Sequence, residues 1–329
     1  MKKIIVLLFI VAICKQTDAQ NDTLPFASNA QRYTFNKINA RRTSNITFAR
    51  QTLNYSPLSY ACPPFLDLGS PKKYYILSAD IIPEFLIASS RLPFAIQLTA
   101  RYKVRILHNN LVQGDSSLPV RTPSFMPGAT VYIPLNLINE ETPNIDYLGL
   151  SFFHHSNGQD GPEFKTDGTF NLYNGNFSTN YVEPSYHFRR RRFTGVLDSF
   201  RYQDPSKNYK DLYGSVGLEL HVGTADALKS SYGNQRANFQ FGYMSVINYW
   251  EAYKGHRLGN YYYGENYRIV LNATIIGGKR DQDLSGFNKR INADINYYRR
   301  IRASPNTSLF ISAGYYGSDT YSSFALKSG

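Results

Sequence analysis

Cysteine is nearly absent from this chain, whose 329 residues include only two, Cys14 and Cys62. Small exported domains usually depend on several disulfides, so this chain must owe its stability to burial and backbone pairing. Long apolar runs are also missing after the N-terminus, which excludes a membrane protein built from spanning helices. The histidines show no metal-ligand spacing, and no glycine-rich motif for phosphate binding occurs.

The N-terminus does contain one short apolar run. Lys2 and Lys3 precede the apolar residues 4–14, and the small residue Ala19 closes a polar stretch. This pattern predicts a secretory signal peptide over residues 1–19. Residues 20–70 follow no clear period and are interpreted as an N-terminal extension, which leaves residues 71–329 for the main domain.

Basic residues outnumber acidic ones by 36 to 24, giving a net charge of +12. Such a charge suits anionic lipid head groups, lipopolysaccharide phosphates or nucleic acid, but an exported chain seldom meets nucleic acid, so no nucleic-acid partner is expected. The 27 tyrosines against a single tryptophan favour a boundary between apolar and wet surroundings. The run from Arg189 to Arg192 is interpreted as a solvated loop, with head-group binding as the alternative.

Apolar and polar residues alternate with a period of two through much of the chain. The clearest segments are 94–106, 215–222, 239–249, 267–275, 290–297 and 309–315. Several approach the roughly nine to eleven residues of a tilted membrane strand. We therefore predict an all-β fold, a transmembrane antiparallel β-barrel of about twelve strands, with a soluble sandwich or lipocalin-like barrel as the alternative. Eleven candidate strands are found, and the simplest account is that the final one is missing from this sequence.

The stretch FFHHSNGQ, residues 152–159, breaks the alternation. By parity, His154 and Ser156 share the apolar face of their strand, where an unpaired polar group is costly. If the next strand begins at Thr169, Asn171 lies opposite His154 on the same face. Asn157-Gly158 alone could be an ordinary hairpin turn, with the histidine and serine there by chance.

These side chains suffice for acyl transfer. Ser156 would be the nucleophile, His154 the general base, and Asn171 the residue that orients the imidazole. The backbone N–H of Gly158 could bind the oxyanion.

The same residues resemble those of the outer membrane phospholipases A of diderm bacteria. That family carries His-x-Ser-Asn-Gly on a barrel strand and an aromatic-Asn pair about a dozen residues later. Here the motif reads His154-His155-Ser156-Asn157-Gly158, followed by Phe170-Asn171. The resemblance implies a twelve-stranded outer membrane barrel, calcium-dependent hydrolysis of phospholipid acyl esters, and activation by homodimer formation.

The resemblance also implies a calcium site. Its ligands would be the carbonyl of Gln159, a hydroxyl in the same loop, and Ser116 or Ser117 from a second copy of the chain. The family usually has arginine at the position of Gln159, and residues 157–168 contain no serine. Thr166, Asp160 or Asp167 are the available substitutes.

Two other functions remain open from the sequence. One is a catalytically silent barrel that serves as a pore or an adhesin. The other is a lipopolysaccharide deacylase that uses a similar histidine and serine pair.

Overall fold

The alternation of residues is realised as antiparallel β-strands in the computed structural model. The structure describes residues 48–49, 52, 55–62, 75–88, 92–107, 124–136, 143–158, 160–168, 171, 175–193, 208–225, 229, 232–251, 260–280, 285–301 and 304–317. All of them belong to one unit, Arg41–Gly329. The predicted signal peptide, residues 1–19, lies outside them. None of the helices in these ranges is long and apolar enough to cross a membrane.

Twelve strands are formed by the described residues. They are β1 (Tyr60–Cys62), β2 (Tyr75–Ile81), β3 (Glu84–Ala88), β4 (Ala95–Leu107), β5 (Ser124–Pro134), β6 (Asn144–Ser156), β7 (Ser178–Phe193), β8 (Tyr209–Val222), β9 (Gln235–Glu251), β10 (Asn260–Gly277), β11 (Ile291–Ile301) and β12 (Ser304–Tyr316). A 3₁₀ turn, Phe287–Arg290, precedes β11. The prediction of an all-β antiparallel fold with about twelve strands is confirmed.

The strands join one twelve-stranded sheet in chain order, except that β3 pairs only with β4. β2 pairs with one end of β4 and β3 with the other, so the two form a single interrupted line next to β4. Pro83, which has no N–H to donate, lies at the interruption. No ladder joins β1 to β12 within the described ranges, but the rings of Tyr60 and Phe310 lie 4.9 Å apart, so the two edges approach each other.

One face of the sheet is apolar and exposed. Its exposed side chains are Leu148, Leu150 and Phe152 of β6, Val216, Leu218 and Leu220 of β8, Phe239 and Phe241 of β9, Ile269, Leu271 and Ile275 of β10, Ile295 of β11, and Leu309 and Ile311 of β12. These residues follow the period of two that the sequence shows. A soluble protein rarely exposes so wide an apolar surface.

The opposite face is polar and buried. It holds ion pairs between Arg101 and Asp80, between Arg191 and Asp211, and between Arg268 and Glu265. The interpretation of residues 189–192 as a solvated loop is wrong, because they lie within β7. Alternation sends Arg189 and Arg191 to the buried face and Arg190 and Arg192 to the exposed one.

A segment before β1 packs against this buried face. The ring of Phe48 contacts that of Tyr147 in β6 at 5.4 Å, and Tyr55 Oη donates to Asp211 Oδ2 in β8 at 2.7 Å. Arg268 of β10 donates to the carbonyl of Ser56 at 3.1 Å. One segment can reach β6, β8 and β10 only if the sheet curves around it.

The boundary predicted at residue 70 does not coincide with the edge of the sheet. β1 falls inside the predicted extension, residues 20–70, and pairs antiparallel with β2. A cavity of about 250 Å³ remains between the packed segment and the sheet, lined in part by Tyr55, Ser56 and Glu183.

Candidate active site

His154 is held on the exposed face by a partner from the next strand. Asn180 of β7 lies directly opposite His154 in the ladder. The imidazole Nδ1 lies 2.8 Å from Asn180 Oδ1. An amide oxygen only accepts, so Nδ1 must carry the hydrogen. In the neutral ring the lone pair is then on Nε2, which leaves that atom able to take a proton.

Ser156 is two residues further along the same face of β6. Its partner in β7 is Ser178, and its partner in β5 is Phe125. The ring of Phe125 packs edge-to-face with that of Tyr102, with centroids 5.6 Å apart. Ser156 is half-buried.

Asn157 fixes the chain directly after Ser156. Its side-chain Nδ2 donates to the carbonyl of Gly175 at 2.8 Å, and its Oδ1 accepts from the Phe177 N–H at 3.1 Å. Its own N–H donates to the carbonyl of Phe177 at 3.1 Å. These bonds tie the end of β6, directly after Ser156, to the residues just before β7.

Gly158 follows with a φ of +69°, in the left-handed region that favours glycine. A Cβ at this position would lie 2.7 Å from the ring of Phe125. The left-handed backbone and the nearby Phe125 ring both favour glycine at this position.

The prediction that Asn171 lies opposite His154 is wrong. β7 begins at Ser178, and its ladder with β6 pairs His154 with Asn180. Asn171 precedes β7 in the chain, and its Nδ2 donates to the carbonyl of Pro162 at 3.0 Å and its N–H to the carbonyl of Glu163 at 2.9 Å. The structure joins His154 to Asn180, places Ser156 two residues further along the same strand face, and leaves Asn171 apart from them.

The residues proposed for calcium are only partly described. Asp160, Thr166 and Asp167 are exposed in the connection after Ser156. Gln159, Ser116 and Ser117 lie outside the described residues. Within those that are described, no three acidic, histidine or cysteine side chains converge as a metal site would require.

His155 occupies the opposite face from His154. It is buried, and its Nε2 lies 2.6 Å from Ser124 Oγ of β5. Nearby, His221 contacts Thr179 and Glu219 in a buried network. Its inward orientation follows from the alternation of side chains along β6.

The sequence did contain a signal for Asn180. In β7, Ser178 and Asn180 share the face of Val182 and Tyr186, so this strand breaks the apolar pattern in the same way as β6. Two such breaks on one face of neighbouring strands indicate the pair, whereas the spacing in the resembled family indicates the earlier Asn171.

Comparison with known proteins gives no relative for this chain. No protein-family model, curated protein or solved structure matches it. Any statement about function therefore depends on the residues and their geometry.

Proposed function

We propose that this protein is an outer membrane phospholipase, which hydrolyses acyl esters of phospholipids or lysophospholipids through Ser156, His154 and Asn180. The observation that carries the proposal is the hydrogen bond from His154 Nδ1 to Asn180 Oδ1, beside a serine, on an exposed apolar face. Polar side chains on such a surface cost free energy of desolvation. Departures of this kind from the apolar pattern are expected at functional sites.

The dimensions of the apolar face support a membrane-spanning barrel. On β6, the exposed apolar residues 148, 150 and 152 lie between Asp146 at one end and Ser156 at the other. Ten residues of strand cover about 34 Å, or about 24 Å across a membrane at a tilt of 45°, close to the apolar band of outer membrane barrels. Ser156 then lies at the boundary of the band, where the ester bonds of phospholipids are found.

The mechanism follows from the orientation of the imidazole. Nε2 of His154 accepts the proton of Ser156 as Oγ attacks the ester carbonyl, and Asn180 stabilises the resulting imidazolium through Nδ1–H. The proton then passes to the departing alcohol oxygen, leaving an acyl-enzyme that water hydrolyses by the same route. The N–H of Gly158 is the candidate donor to the oxyanion.

Calcium is part of the proposal through the family resemblance. Asp160 and Thr166 offer the oxygen donors that calcium prefers, together with the carbonyl of Gln159 and a hydroxyl from Ser116 or Ser117 of a second copy. When bound, calcium supplies positive charge near the ester carbonyl. A site shared between copies would make the homodimer the active form.

The proposal is tested with purified full-length protein and phospholipid micelles, with calcium or with a chelator. Ser156→Ala should leave a folded, heat-modifiable protein with fatty-acid release lowered by about 10⁴-fold or more. The matched control is Ser178→Ala, which removes the hydroxyl directly opposite on the same face. Full activity in Ser156→Ala would overturn the assignment, and release from lipopolysaccharide alone would indicate a deacylase.

A further inference from the structure

Two cations face each other at the far end of the exposed surface. Arg192 of β7 is paired directly with Lys210 of β8, and both side chains are exposed. Neither makes an ion pair with a residue that the structure describes. Like charges directly opposite each other destabilise a sheet, so this arrangement is costly unless an anion lies between them.

The neighbouring cation on the same face is neutralised within the chain. Arg190 donates to Asp146 Oδ1 at 2.8 Å, and the same carboxylate oxygen accepts from the Tyr186 hydroxyl. The chain thus supplies an acidic partner for Arg190 at the edge of the apolar band. Two residues further along β7, Arg192 and its neighbour Lys210 have no acidic partner among the described residues.

The surroundings of this pair are those of a membrane boundary. The ladder row that contains Lys210 continues through Ser245 to Tyr267. The Tyr267 ring lies 6.1 Å from that of Tyr243, and exposed Leu212 lies one step towards the apolar band. Tyrosine rings and long basic side chains together are typical of the head-group level.

The position along the strand agrees with that level. Arg192 is fourteen residues from Ser178, which marks the end of β7 near the candidate site. Fourteen residues cover about 48 Å of strand, or about 34 Å across a membrane at a tilt of 45°. That exceeds the hydrocarbon thickness of about 30 Å and falls within the head groups of the opposite leaflet.

We propose that Arg192 and Lys210 bind the phosphate of an anionic phospholipid in the leaflet opposite the catalytic site. The inference rests on the membrane placement in the proposed function, but not on catalysis. A bound phosphate neutralises both cations at once and anchors the barrel at a fixed depth.

The test uses the full-length protein as Ser156→Ala with chelator, so that no lipid is hydrolysed. Retention of labelled phosphatidylglycerol in mixed micelles is compared with retention of phosphatidylcholine, and inorganic phosphate is added as a competitor. We expect the double variant Arg192→Gln, Lys210→Gln to bind phosphatidylglycerol about 30-fold more weakly, equivalent to about 2 kcal/mol. The control Lys279→Gln, an exposed cation after β10, should bind as the parent does.

Three results would overturn the inference. They are equal retention of the two lipids by the parent, unchanged affinity in the double variant, and displacement of the lipid by an equal concentration of inorganic phosphate. Failure of the membrane placement itself is distinguishable, because the protein would then not fractionate with outer membranes.

Discussion

Two consecutive histidines of β6 point to opposite faces and have opposite surroundings. His154 is exposed and bonded to the amide of Asn180, whereas His155 is buried and bonded to the hydroxyl of Ser124. Each histidine also has a serine nearby, Ser156 two residues along the strand from His154, and Ser124 bonded to His155. Residue types alone therefore cannot show which histidine is the reactive one.

The difference between the two lies in access. His154 is exposed on the apolar face and Ser156 is half-buried there, so the proposed lipid ester would approach from that side. His155 is one of the contacts that hold the polar interior together, where Tyr232 lies at 6.5 Å from its ring. We infer that two features distinguish the reactive histidine. It lies on the exposed apolar face, and a neighbouring amide oxygen fixes the tautomer of its imidazole.

The largest expected effect comes from exchanging the two histidines for glutamine. His154→Gln removes the proposed general base and should lower turnover by about 10⁴-fold, with little change in stability. His155→Gln should keep activity within a few-fold and lower the temperature of unfolding. Fatty-acid release and heat-modifiable migration on gels measure the two properties, and a reversed result would mean that the buried pair is the reactive one.

The next effect separates Asn180 from Asn171. Asn180→Ala removes the acceptor for Nδ1–H, so turnover should fall by about 10- to 100-fold, the equivalent of one hydrogen bond of about 1.5–3 kcal/mol. Asn171→Ala breaks a loop contact and should cost less. Were Asn171→Ala the more damaging of the two, the original assignment from the family spacing would stand.

A smaller effect is expected at Gly158. Gly158→Ala adds a Cβ 2.7 Å from the Phe125 ring and should lower kcat by about 10-fold, by shifting the backbone beside Ser156. Gly168→Ala is the matched control, because its φ of +81° carries the same backbone strain but its Cβ meets open space. Equal kcat values in the two variants would show that the contact with Phe125 is not the cause of the loss.

The smallest effect on activity is expected from Tyr55→Phe. This change removes the hydrogen bond to Asp211, which Arg191 also binds at 2.7 Å and 2.8 Å, and should lower the free energy of unfolding by about 1–3 kcal/mol. Turnover should not change, because the contact lies on the buried face. If Tyr55→Phe lost activity while keeping its full stability, the result would indicate that the buried face influences the exposed site.

Much of the fold could be predicted because alternation records the two faces of a strand directly. The segment 94–106, for example, corresponds to β4 within a residue at each end. The residues before β1 could not be predicted, since a segment that fills a concave surface has no period of its own. The prediction of a loop at residues 189–192 is wrong because arginines occur there on both faces of β7. Four consecutive charges therefore show no alternation of apolar and polar residues.

The sequence predicts the part of the candidate site that lies on a single strand. Parity alone places His154 and Ser156 together on β6. Their partner depends on the length of the connection after Ser156, which is set by the contacts of Asn157 and Gly175 and is not visible as a local pattern. Asn171 would lie opposite His154 only after a short loop, and the ladder places Asn180 there instead.

The bond between Ser56 and Arg268 joins residues 212 positions apart in the chain. Since β10 must exist before this contact can form, the N-terminal segment cannot settle until most of the sheet has been assembled. Contacts of such long sequence separation slow folding. The polar interior therefore stays open until late in folding, and the apolar face needs protection from aggregation for all of that time.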